Sequence, residues 1–317
     1  MYRIGIDLGG TKMAAAVVDA EQRIVLKRSV PTHAERPADR IVADMADLCL
    51  SLCREQGTQL SDIDEIGVAS PGIIDSKNGK ILHACNLPFD HYPICERLGG
   101  LLGYRNIRVE NDANAAAWGE AIAGAARGTQ NSIIVTLGTG VGGGFVIDNK
   151  IYSGFNFAGG ELGHMVIQVG GRLCGCGRRG CWEAYSSATA LINMTNEKIL
   201  MCRNYGKPTR LTDCLDPEGH VSGRTAFDAM KLGDEEARDV VNEYVMYLAN
   251  GIASIINIFQ PEVLSIGGGI SGEGGALLEL VEPLVRRQQY GPGLVPLTRL
   301  CIAELGNNAG IIGAANL

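Results

Sequence analysis

Short apolar runs alternate with glycine-rich turns along this chain, and the first run sets the pattern. "YRIGIDLGGTKMAAAVVDAEQRIV" (2–25) predicts strand, glycine turn, strand, then a polar turn into a third strand. Runs of four to eight apolar residues bounded by glycine favour strands, whereas apolar positions three and four apart over a longer stretch favour helix. The helical spacing predicts a helix over about residues 38–56, with Cys49 and Cys53 on its apolar face. "EIGVASPG" (65–72) predicts a strand ending in a Pro-Gly turn. "IRVENDANAAAWGEAIAGAARG" (107–128) predicts a short strand running into a helix that stops at Gly128. "SIIVTLGTGVGGGFVIDNKIY" (132–152) predicts strand, glycine turn and strand again. Residues 184–258 are mainly helical by periodicity, "EVLSIGGGIS" (262–271) predicts a strand ending in three glycines, and "AELGNNAGIIGAANL" closes the chain as a turn and a short apolar helix. Strands alternating with helices point to an α/β protein.

One stretch echoes another. "IGIDLGGTKMAAAVVD" (4–19) aligns without a gap on "IIVTLGTGVGGGFVID" (133–148), with five of sixteen positions identical. A duplicated α/β lobe follows, each copy opening with a hairpin whose glycine tip faces a shared cleft. The boundaries expected from this are 1–113 plus 302–317 for a small lobe and 114–301 for a large one.

Composition adds limits. The 317 residues suffice for two domains, and 43 are glycine, about twice the usual share of roughly 7%. A net charge of −7 disfavours a general nucleic-acid surface. No apolar run approaches the roughly 20 residues of a membrane span, and no signal-peptide pattern opens the chain, so a cytosolic protein is expected.

The hairpin tips carry the first candidate chemistry. Neither is a Walker A loop or a dinucleotide fingerprint, because the glycines lie between two strands. Glycine lets backbone N–H groups approach an anion closely. Gly9, Gly10, Thr11 and Lys12 in one tip, and Gly138, Thr139 and Gly140 in the other, are thus candidate phosphate contacts. Asp7 beside the first tip would repel phosphates unless a cation such as Mg²⁺ stood between them. In "VENDANAAAWGEA", Asn111 and Asp112 fall at a strand-to-helix junction. They read either as helix caps or, for Asp112, as a general base for phosphoryl transfer.

The segment "RLCGCGRRGCWE" (172–183) clusters Cys174, Cys176 and Cys181. Three thiolates are one ligand short of tetrahedral zinc, and His164 in "GGELGHMV" is the natural fourth. The zinc-binding segment is then 164–181, and a full Cys₃His sphere makes the metal structural. A redox pair or iron–sulfur cluster would need other spacing or a fourth cysteine.

"DLGGTK", "ENDANAAAWGE", "VTLGTGVGGG", "GGELGHM", "CGCGRRGCWE", "IGGGIS" and "LGNNAGIIGAA" occur in this order from residue 7 to 315. Together they resemble the ROK family of bacterial sugar kinases and repressors, and within it the zinc-containing glucokinases. The resemblance implies an actin-like, ribonuclease-H-like ATPase fold and an ATP-dependent hexose kinase, with glucose the expected substrate and other hexoses as alternatives. It implies that Asp112 is the catalytic base and that Asn111, Glu161, His164 and Glu183 read sugar hydroxyls, with Gly72 and Asn86 as weaker sugar-site candidates. Gly267, Gly268 and Gly269 would lie near the nucleoside, and the family suggests a homodimer or homotetramer. ROK repressors carry a helix-turn-helix ahead of the sugar domain, and with the first phosphate motif so near residue 1 a kinase is expected and not a repressor. A non-catalytic sugar sensor would be expected to lack Asp112.

Overall fold

The opening run folds into a three-strand antiparallel meander. β1 (Tyr2–Leu8), β2 (Lys12–Val18) and β3 (Ile24–Pro31) pair with Arg3 opposite Val18 and Lys12 opposite Pro31. Helix α1 (Ala38–Gln56) then leads to β4 (Ile63–Ser70), which lies parallel to β1. A small sheet of β5 (Ile73–Asp75), β6 (Lys80–His83) and β7 (Asp90–Tyr92) is followed by α2 (Ile94–Leu102). The chain returns as β8 (Ile107–Asn111), parallel to β4, and continues into α3 (Asp112–Ala123). The first large sheet thus has the order β3-β2-β1-β4-β8.

A second sheet repeats the plan. β9 (Ser132–Leu137), β10 (Val141–Ile147), β11 (Lys150–Ile151), β12 (Val263–Gly267) and β13 (Arg299–Ile302) take the order β11-β10-β9-β12-β13. In each sheet the first strand of the echoed pair is central, with its two hairpin successors on one side and two later strands on the other. The sequence echo is therefore a repeat of architecture. Between β11 and β12 run α4 (Glu183–Ser186), α5 (Ala188–Tyr205), α6 (Thr225–Lys231) and α7 (Glu235–Phe259). α8 (Gly275–Gln288) precedes β13, and α9 (Ala309–Ala314) closes the chain.

This computed structural model describes every residue except Pro292. It divides into one unit of Met1–Ile134, Gly144–Gly160 and Glu304–Leu317, and another of Val135–Gly143 and Glu161–Ala303. In the first unit, α1 buries Ile41, Val42, Met45, Leu48, Cys49, Leu52 and Cys53 in one core with Ile4, Ile6, Leu8 and Val68. Each such aliphatic side chain contributes roughly 1.5–3 kcal/mol by leaving water. Both cysteines are core thiols, and burial pushes that of Cys49 up to about 12. α9 lies against α3 and β4 at backbone contact. A Cβ at Gly313 would sit 1.7 Å from the Ala115 carbonyl oxygen, and one at Gly67 would sit 1.7 Å from that of Ala314. The apolar, glycine-spaced C-terminus is what lets α3, with Asp112 at its head, pack so closely.

One expectation needs correction. α3 stops at Ala123, five residues short of Gly128. Buried Glu120 ends it: its carboxylate accepts from the N–H groups of Ala125 (2.7 Å), Glu304 (3.1 Å) and Leu305 (2.8 Å), so the next backbone donors no longer continue a helix. The stretch 184–258 is mainly helical, as expected, with one break at residues 206–224, where the regular structure is a 3₁₀ turn. Gly206 turns left-handed there (φ 61°) and Pro208 and Pro217 follow. Among the described residues, no helix is long and apolar enough to cross a membrane.

Candidate functional site

In the first unit the candidates gather at the head of α3. Asn111 ends β8 and caps the helix: its Oδ1 accepts from the N–H groups of Ala113 (2.9 Å) and Asn114 (3.1 Å). Its Nδ2 donates to the Gly72 carbonyl at 3.1 Å. That turn requires glycine, because Gly72 has φ 108° and a Cβ would meet the His83 carbonyl oxygen at 2.1 Å. Capping uses Oδ1, which leaves Nδ2 as the donor that holds the Gly72 carbonyl and also reaches the Asp112 carboxylate. Asp112 is the first helical residue, and its Oδ1 accepts from the Ala113 N–H at 2.9 Å.

Solvent reaches Asp112, yet the protein packed around it raises its carboxyl above the ordinary range. Hydrogen bonds from Ala113 and Asn111 pull the other way and are outweighed. A raised pKa makes the ionised carboxylate a stronger base. Asp7 is raised as well, first by burial and then by the nearby charge of Asp112, against the lowering influence of Lys27 and Lys12. Two carboxylates and two lysines therefore share this corner. Gly9 donates to the Lys12 carbonyl at 3.1 Å to close the tip. Thr32 braces it, with its N–H on the Thr11 carbonyl (2.9 Å) and its hydroxyl on that of Gly9 (2.6 Å). Asn86 lies beside the tip, its carbonyl oxygen 3.3 Å from where a Cβ of Gly10 would be.

Sequence reasoning missed two residues here. Lys27 on β3 reaches the Asn308 side chain at 2.6 Å. Glu110 is buried one residue before Asn111, accepts from its N–H (2.9 Å) and from Asn114 Nδ2 (3.1 Å), and is pushed up by burial. The alternation Ile107, Arg108, Val109, Glu110 would place position 110 outward with Arg108, so the strand pattern held no signal of its burial.

In the second unit the other tip is held from behind. Gly138 donates to the Gly140 carbonyl (3.0 Å), Ala188 donates to that of Gly138 (2.8 Å), and the Thr189 hydroxyl donates to that of Thr139 (2.8 Å). Gly268, at φ 83°, lies against Leu137, where a Cβ would fall 2.5 Å from the carbonyl oxygen. Gly267 ends β12 and Gly269 begins the following 3₁₀ turn, so the glycine triplet stands at the foot of this tip.

The cysteine segment folds into a knot. The N–H of Cys174 donates to the Arg178 carbonyl (2.8 Å), that of Gly177 to Cys174 (2.9 Å), and that of Trp182 to Met165 (2.8 Å). Trp182 is fully buried, donates from Nε1 to the Tyr247 carbonyl at 3.0 Å, and fills the space left by Gly251, so the knot is pinned to α7. The result brings His164, Cys174, Cys176 and Cys181 together, with their ligand atoms within 4.8 Å of one another. His164 Nδ1 is 3.8 Å from Cys174 Sγ, and the sulfurs of Cys176 and Cys181 are 3.7 Å apart. A tetrahedron with metal–sulfur bonds of about 2.3 Å has edges of about 3.8 Å, close to these two separations, so the donor set suits a metal such as zinc. With Nδ1 turned to the metal position, His164 Nε2 is left for another partner. Glu161 precedes the 3₁₀ turn that carries His164 and is exposed. Glu183 begins α4, with Oε2 accepting from the Val141 N–H at 3.1 Å.

The sequence profile of the ROK family matches residues 3–317. The chain is 35% identical to the glucokinase of Streptomyces coelicolor over 99% of its own length and 96% of that protein. The crystal structure of a ROK glucokinase from Streptomyces griseus, in complex with glucose and AMPPNP, is similar with a TM-score of 0.81 at 34% identity, covering 100% of this chain and 98% of that one. The ROK hexokinase from Thermus thermophilus gives 0.80 at 34%, covering 99% and 97%.

Proposed function

The chain belongs to the ROK family, and on that premise we propose that it is an ATP-dependent kinase that phosphorylates the 6-hydroxyl of glucose. The observation that carries the reading is Asp112, an accessible carboxylate of raised basicity at the head of α3, beside a glycine tip suited to phosphate. Its ionised oxygen takes the proton of the 6-hydroxyl as that oxygen attacks the γ-phosphorus; the bond to the bridging oxygen breaks, and ADP leaves. Phosphoryl transfer of this kind depends mainly on positioning and charge stabilisation, which is what the tips contribute. The residues assigned to the sugar are Asn111, Asp112, Gly72, Asn86, Glu161, His164 and Glu183, those assigned to phosphate are the tips Gly9–Lys12 and 138–140, and Gly267–Gly269 are assigned to the nucleoside.

Mg²⁺, when bound, would offset the repulsion between Asp7 and the phosphates. Zinc, when bound by His164, Cys174, Cys176 and Cys181, has a closed coordination sphere and fixes the imidazole's orientation. A coupled ADP-release assay across glucose, mannose, fructose, allose and N-acetylhexosamines tests the reading. Glucose should give the highest kcat/KM, with little ADP released in the absence of sugar. Release on none of these sugars would overturn it.

A further inference from the structure

Glu183 has a second attachment that a sugar contact does not need. Its Oε2 accepts from the N–H of Val141, the residue that follows the tip 138–140 and begins β10. Its Oε1 lies 3.5 Å from Cys174 Sγ, in the zinc knot. The backbone of Glu183 is two residues past Cys181, and the turn it begins leads to Ala188 and Thr189, which hold the carbonyls of Gly138 and Thr139. The carboxylate also explains a glycine. A Cβ at Gly140 would fall 2.4 Å from Glu183 Oε2, and Gly140 has no positive φ that would itself demand glycine.

We propose that Glu183 is a positioning residue for the nucleotide: it ties the phosphate tip to the zinc knot through the Val141 N–H, and Gly140 is glycine to leave room for it. The inference rests on the reading of tip 138–140 as a phosphate contact and deepens it. One carboxylate then faces both substrates, so knot, sugar group and phosphate tip move as one piece. An N–H held by a carboxylate is fixed in direction, whereas a loop that must order itself on binding loses affinity for the ligand that orders it.

The test is equilibrium binding of AMPPNP by calorimetry, without sugar, on zinc-loaded protein of verified metal content. Glu183→Ala should weaken binding by about tenfold or more, the usual effect of losing a hydrogen bond to a charged group. Glu183→Gln keeps an acceptor for the Val141 N–H and should restore most of the affinity. Gly140→Ala meets only the movable end of a side chain, so the fold should tolerate it. It should nonetheless weaken AMPPNP binding and raise the KM for glucose together. Combined with Glu183→Ala it should add little, because both changes break the same contact. Glu183→Ala with wild-type AMPPNP affinity, no recovery in Glu183→Gln, or fully multiplicative effects in the double variant would each overturn the inference while leaving the kinase reading intact. Wild-type protein that binds no AMPPNP would overturn both.

Discussion

Asp112→Asn separates the shape of the site from its chemistry. Asparagine matches aspartate in size, and its Oδ1 can still accept from the Ala113 N–H now bonded at 2.9 Å. The cap made by Asn111 and its bond to Gly72 do not involve the changed group. What disappears is the basic oxygen. General-base catalysis contributes roughly 10²–10⁴-fold, or about 2.7–5.4 kcal/mol of barrier at 1.36 kcal/mol per decade. Turnover in the ADP-release assay should fall by that factor, while glucose affinity measured by calorimetry changes little. The same substitution has a signed effect on stability. The folded pKa of Asp112 lies above its unfolded value. Its stabilising contribution is therefore complete below the ordinary carboxylate range and is lost as pH rises through the folded pKa. A neutral asparagine escapes that loss, so the variant should melt higher than wild type near pH 7, and the difference should close as pH approaches 4. Wild-type activity should decline on the acid side as Asp112 protonates. Near-normal turnover in the variant would refute the assignment of the base, and a lower melting temperature at pH 7 would refute the electrostatic account.

Cys176→Ser should release zinc, seen directly by metal analysis, and raise the KM for glucose because His164 loses the metal that orients it; zinc loss with an unchanged KM would break that link. Glu120→Ala strips three backbone N–H groups of their partner in a buried setting and should destabilise the protein by about 3–5 kcal/mol in urea unfolding, with a loss under 1 kcal/mol counting against the role given to it. Gly313→Val places a side chain where even a Cβ meets the Ala115 carbonyl oxygen at 1.7 Å, so little folded protein should be recovered, and normal yield with an unchanged melting curve would contradict the packing described.

The parts of this fold legible in the sequence are those whose cause is local. The strand–glycine–strand units declared themselves because a hairpin tip and its flanking apolar runs lie side by side in the chain, and α1 did so because its buried face repeats along nineteen residues. The cysteine–histidine cluster was legible for a similar reason: three cysteines and one histidine fall within eighteen positions, and a tetrahedral metal's ligand number is fixed chemistry. Where the cause is distant, the sequence misled or was silent. The end of α3 is set by Glu304 and Leu305, whose N–H groups compete for Glu120 from more than 180 residues away. The small sheet β5–β7 has strands of three or four residues, too short to show alternation. α8 escaped because Pro283 interrupts its pattern.

The site divides along the same line. Asn111 and Asp112 are neighbours at a capping position, and one stretch supplied both. Lys27 and Glu183 act across the fold, Lys27 on Asn308 and Glu183 on Val141, and a linear pattern holds no trace of either contact. Gly140 shows why such contacts matter for reading glycines. Beside Thr139 it looks like a residue kept small for phosphate, yet the nearest atom to its missing Cβ is a carboxylate oxygen of Glu183. A glycine in a binding loop can be conformational, can admit a ligand or can admit another side chain, and only the third dimension distinguishes the last of these.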